Sequence, residues 1–103
     1  MPPIQHPELD AVSLQEVLHA LSDPVRLQIV RYTLERPGSI CGDVLSHVPK
    51  SSASHHWRVL RQAGVLRQVP QGTTRCNSVR REELDARFPG LLDAVLRAAE
   101  AEG

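Results

Sequence analysis

The sequence predicts a mainly α-helical domain, a winged helix-turn-helix, with one small β-hairpin set between its fourth helix and its C-terminal helix. Three observations carry that expectation. Apolar residues recur at helical spacing from Leu14 to Leu34 and again from Ala53 to Ala63. A β-prone stretch with a glycine-containing turn occupies residues 65–79, and a further apolar stripe at helical spacing runs from Leu91 to Ala99. A chain of 103 residues makes a single domain that buries roughly 65% of its unfolded surface.

Pro2, Pro3 and Pro7 discourage helix in residues 1–12, which read as a loose N-terminal arm ahead of one domain at 13–103. Ser13 followed by Glu16 is a capping box, and Leu14, Val17, Leu18 and Leu21 then repeat as one helix face. Asp23 is placed to N-cap a second helix with Pro24 at its first position. That helix continues through Val25, Ile29, Val30, Thr33 and Leu34 to a stop at Pro37-Gly38. A short extended piece at 39–41 leads to a brief third helix at about 42–47. Pro49 opens a fourth helix that reaches Ala63, with Gly64 as its stop.

Residues 65–69 form a strand, Pro70-Gln71-Gly72-Thr73 a turn, and residues 74–79 the return strand. Glu82 and Glu83 suit the start of a new helix, which Phe88-Pro89-Gly90 interrupts or restarts. Leu91, Leu92, Val95, Leu96 and Ala99 then form the last apolar stripe.

The formal net charge of zero hides a segregation. Between Val44 and Arg81 stand Lys50, Arg58, Arg61, Arg67, Arg75, Arg80 and Arg81, with no carboxylate among them. A basic block inside a neutral small protein is the electrostatic footprint expected for a polyanion, above all nucleic acid. Other classes find little support. No apolar run approaches the ~20 residues of a membrane span, and the proline- and acid-containing N-terminus does not resemble a signal peptide. Cys41 and Cys76 are too few for a disulfide scaffold, which points to the reducing cytoplasm. Tyr32, Trp57 and Phe88 are too few aromatics for a single-strand stacking platform. No phosphate loop, paired carboxylates or Cys/His signature suggests an enzyme, and no cofactor or metal site is expected.

On a helical wheel the segment 49–64 separates into two faces. Ser51, Ser54, His55, Arg58, Arg61 and Gln62 fall on one side; with Lys50 and Ser52 they can bond phosphates or base edges in a major groove. Ala53, Trp57, Leu60 and Ala63 form the docking side, with His56 at its edge. A short helix, a tight turn and such a helix make a helix-turn-helix, whose second helix enters the groove. In the hairpin, Gln71, Thr73, Thr74 and Arg75 flank a flexible turn suited to gripping phosphates.

The stretch Leu18-His19-Ala20-Leu21-Ser22-Asp23-Pro24-Val25-Arg26-Leu27-Gln28-Ile29-Val30 resembles the first two helices of the ArsR-type (ArsR/SmtB) winged helix-turn-helix regulators. The stretch from Ser51 to Leu66, with its Ser-His-His and Leu-Arg-x-Ala-Gly, resembles that family's recognition helix and first wing strand. The resemblance spans roughly residues 13–99. It implies a homodimer joined through the first and last helices, here Leu14, Leu18, Leu91, Leu92, Val95, Leu96 and Ala99. It also implies repression from a double-stranded DNA operator and release by an effector, an unidentified small molecule or redox signal. The family's thiolate metal site needs two thiolates one residue apart, and here the stretch has only Cys41; its C-terminal helix site needs histidine, and 91–102 has none. Cys41 and Cys76 are a possible redox pair, since the extended piece should lie beside the return strand of the wing. A winged-helix protein-interaction module, with Trp57 and the Arg-rich hairpin facing a protein, is the alternative.

Overall fold

The structure is a computed structural model that describes residues 5–40 and 49–102. A 3-10 turn at Leu9–Ala11 precedes α1 (Leu14–Ala20) and α2 (Pro24–Glu35), and β1 (Ser39–Ile40) follows. Then come α3 (Lys50–Gln62), β2 (Leu66–Gln71), β3 (Thr74–Val79), α4 (Arg81–Arg87) and α5 (Leu91–Ala101). The sheet has the order β1-β3-β2, antiparallel throughout. The helix expected at 42–47 lies outside the described residues. No helix among the described residues is long and apolar enough to cross a membrane.

Local chemistry sets the element boundaries. The Ser13 hydroxyl accepts from the Glu16 backbone N–H at 3.1 Å while the Glu16 carboxylate accepts from the Ser13 N–H at 3.3 Å. The Asp23 carboxylate accepts from Val25 and Arg26 N–H at 2.8 and 3.2 Å. Each such cap contributes about 1 kcal/mol. The end of α3 is a Schellman closure: Val65 N–H reaches Leu60 O at 3.0 Å and Gly64 N–H reaches Arg61 O at 3.1 Å. That geometry puts Gly64 at φ +77°, where a side chain would be strained. A Cβ there would also press on Val12 Cγ2 at 3.3 Å, so the chain turns where the N-terminal segment packs.

The hairpin is longer than its turn residues suggest. β2 extends through Pro70 to Gln71, and only Gly72 and Thr73 connect the strands. Positive φ at Gly72 alone fits a type II′ turn. Pro70 is tolerated because β2 is an edge strand.

Ile29, Val30, Leu60, Val65 and Leu66 form the centre of the core, with Trp57, Ala63, Val17 and Leu84 around them. Full burial of each larger aliphatic side chain contributes roughly 1.5–3 kcal/mol. The segment read as a loose arm is docked from His6 onward. Leu9 and Val12 are buried in the core, the Arg80 guanidinium donates to Pro7 O at 2.7 Å, and Gln68 N–H donates to His6 Nε2 at 2.9 Å. Composition missed this because two apolar residues among prolines carry no periodicity.

Leu92 departs from the expectation of an interface residue. It is buried within its own chain, where it lines an apolar crevice with Val17, Leu21, Leu84, Phe88 and Leu91. The stripe on α5 is therefore split: Leu92 faces inward, while Leu91, Val95, Leu96 and Ala99 are half-buried. Leu14 and Leu18 on α1 are exposed.

Candidate nucleic-acid interface

The helix α3 presents its polar side outward as the wheel requires. Ser51, Ser52, Ser54, His55, Arg58 and Gln62 are exposed, and Trp57, Leu60 and Ala63 are buried beneath them. Lys50 is the first residue of the helix. Pro49 precedes it with no capping side chain, and a helix N-terminus favours anions. No acid lies on this helix.

Trp57 is only 6% exposed. It serves as the apolar anchor of α3 and is not offered to a partner. His56 sits at the edge and contacts α2: Arg26 Nη1 lies 3.3 Å from Nδ1, which accepts because a guanidinium only donates. Arg26 is itself buried and donates to the carbonyls of Ala20 at 2.7 Å and His19 at 3.0 Å. One guanidinium thus closes the end of α1 and touches the recognition helix, a role that Arg26 does not reveal in the sequence. Burial pushes the Asp23 carboxyl up, but the backbone bonds from Arg26 and Val25, with the charge of Arg26, hold it below its ordinary value.

At the tip of the wing Gln71, Gly72, Thr73, Thr74 and Arg75 are all exposed, and the Thr74 hydroxyl donates to Gln71 O at 2.9 Å. Cys76 is half-buried, its thiol donates to Gln71 Oε1, and it pairs with Ile40 across β1 and β3. Cys41 lies outside the described residues, and with it the proposed redox pair.

The fold sorts the basic block into two groups. Arg80 and Arg67 share Glu83, at 2.6 and 3.4 Å, and this pairing holds the Glu83 carboxyl below its ordinary value. Arg81 pairs with Asp93 and lies 4.0 Å from Asp85. The acids come from α4 and α5, so these three cations are neutralised by residues outside the acid-free stretch. Arg58 and Arg75, among the described residues, have no acid within reach. Arg61 is the intermediate case. It is half-buried rather than fully on the outer face, and its guanidinium donates to Gln68 Oε1 at 2.8 Å. Burial lowers its pKa, and the nearby charges of Arg75 and Arg58 lower it further, so three cations crowd the seam between α3 and the wing.

Gln68 and Asn77 read from the sequence as ordinary wing polarity, yet both are 1% exposed. Gln68 donates to Asn77 Oδ1 at 3.0 Å, and Asn77 donates to Ser39 O at 2.9 Å. The register of β2 held one available signal. Leu66 and Gln68 stand two apart and so share the inner face.

A family model described as a helix-turn-helix domain matches residues 21–69, from the end of α1 into β2. A protein of Bacillus subtilis (strain 168), described as the uncharacterized HTH-type transcriptional regulator YceK, is 33% identical over 84 residues. That match covers 78% of this chain and 83% of the relative. The crystal structure of an ArsR family transcriptional regulator superposes with a TM-score of 0.62 at 24% identity. It covers 94% of this chain and 92% of that one.

Proposed function

The chain belongs to the helix-turn-helix-type transcriptional regulators and has the winged-helix fold of an ArsR family member, and on that premise we propose that this DNA-binding regulator acts as a dimeric repressor. Its α3 lies in the major groove with Ser51, Ser52, Ser54, His55, Arg58 and Gln62 toward the DNA, and Lys50 at the leading end. Gln71, Thr73, Thr74 and Arg75 of the wing grip the adjacent backbone. The observation that carries this reading is the sorting of the cations. Acids occupy Arg67, Arg80 and Arg81, whereas Arg58, Arg61 and Arg75 remain together on one seam.

A second copy covers Leu14 and Leu18 of α1 with Leu91, Val95, Leu96 and Ala99 of α5. A two-fold pair places two recognition helices about 34–36 Å apart and calls for a roughly palindromic operator. A small-molecule or redox effector then lowers DNA affinity. The protein-interaction alternative loses its anchor, because Trp57 is enclosed in the core.

Selection of bound sequences from a random duplex pool tests the reading. Enrichment of a palindrome with half-sites one helical turn apart is the expected result. A pool that stays unenriched, with no salt-dependent retention of DNA, refutes it.

A further inference from the structure

The buried guanidinium of Arg80 finds a carboxylate, that of Glu83. Arg61 finds an amide instead. The difference matters for a protein that binds phosphate. A carboxylate would hold the side chain and cancel its charge, whereas an amide carbonyl holds it and leaves the full positive charge available.

The amide is itself held. Ser39 pairs with Asn77, and Asn77 pairs with Gln68, so the three residues occupy one row across all three strands. Hydrogen bonds run along that row from Ser39 O through Asn77 and Gln68 to Arg61. The backbone N–H of Gln68 is fixed in turn by His6 Nε2. Burying two amides between a helix and a sheet is costly unless they are hydrogen-bonded, and once bonded they specify a single arrangement. Here the arrangement specified is the position of the recognition helix against the wing.

We propose that Gln68 is the positioning residue of the DNA surface, holding the Arg61 guanidinium at the seam of α3 and the wing so that Arg61 takes a backbone phosphate beside Arg58 and Arg75. The proposal rests on the DNA-binding reading above and adds the residue that orders its central cation. Arg58 precedes Arg61 by three positions on the same helix, and Arg75 stands opposite Pro70, two residues beyond Gln68 on β2.

The test is a double-mutant cycle on the full chain, read as affinity and salt slope for a mixed-sequence DNA duplex of about 30 base pairs, where phosphate contacts dominate. Gln68→Met keeps the volume and removes the hydrogen bonds. It should weaken binding at least about tenfold with Arg61 present, the scale of one hydrogen bond to a charged group, and less than about twofold with Arg61→Ala, because Gln68 acts on DNA through Arg61. Gln68→Glu keeps the acceptor but cancels the cation. It should match Arg61→Ala by flattening the salt slope about one unit per protomer, while losing the donor to Asn77 Oδ1 lowers its thermal midpoint.

Equal losses from Gln68→Met with and without Arg61 would show a merely structural role and overturn the proposal, as would a Gln68→Glu variant with the parent's slope. If Gln68→Met does not fold by circular dichroism, the Gln68→Glu slope decides alone. A parent protein that fails to bind DNA in a salt-dependent way overturns the DNA reading and this proposal together. A parent that binds, with additive losses in the cycle, overturns this proposal only.

Discussion

Replacing Arg58 and Arg67 separately by alanine should separate the cations that face DNA from those that hold the fold. Each substitution removes one positive charge from the same acid-free stretch, so a view based on net charge expects equal effects. The structure expects different ones. Arg67 is tied to Glu83 at 3.4 Å and sits with Arg80 at the base of the wing. Arg58 is exposed on α3 with no acid near it among the described residues. Each phosphate contact contributes about 0.9 to the slope of log affinity against log salt, so one contact per protomer of a dimer amounts to about 1.8. Between about 50 and about 200 mM salt, the advantage of the parent over Arg58→Ala should shrink about twelvefold. Arg67→Ala should keep the parental slope. The assay is fluorescence anisotropy on a labelled duplex over a salt series, with thermal melting as the folding control. Exposed Arg58 should change stability by no more than about 0.5 kcal/mol. Equal flattening by both variants, or by neither, would refute the sorting of cations on which the interface rests.

Three further outcomes are expected. Trp57→Ala should destabilise the domain by about 3–5 kcal/mol, seen as a thermal midpoint lower by at least about 10 °C; an unchanged midpoint would place Trp57 on the surface. Val95→Asp with Leu96→Asp should give soluble monomers in sedimentation experiments, whereas Leu92→Asp, being buried, should give unfolded protein by circular dichroism. Folded Leu92→Asp monomers would return that residue to the interface. The third outcome concerns pH. Burial, then the charges of Arg67, Arg80 and Arg61, hold His6 below its ordinary pKa of 6.5. The unfolded chain therefore takes up the proton first, so the contribution of neutral His6 is fully present above about pH 6.5 and is lost as the pH falls through the folded-state value. Denaturant midpoints should thus decline on acidification below about pH 6.5 in the parent, and His6→Gln should flatten that decline. Identical pH profiles would remove the His6–Gln68 bond as a contributor.

Much of this protein was legible in one dimension, because short-range chemistry writes itself into spacing. The capping box at Ser13, the Asp23-Pro24 start and the Gly64 stop each depend on residues within about one helical turn, and each stands where its sequence places it. The two faces of α3 follow from the helical period alone, so the exposed row from Ser51 to Gln62 and the buried Trp57 were both readable. Tertiary structure decided what depends on partners far along the chain. The acid-free stretch looked uniformly basic, yet Glu83 and Asp93 reach back to neutralise three of its arginines. Polar Gln68 and Asn77 carry no sign of burial, because a hydrogen bond offsets their desolvation only once the row from Ser39 to Arg61 has assembled. His6 and Leu9 looked like a loose arm until the wing and Gly64 supplied the surface that receives them. Periodicity reports which face of an element is apolar; which charges remain for DNA depends on the three-dimensional pairing of residues that the sequence keeps apart.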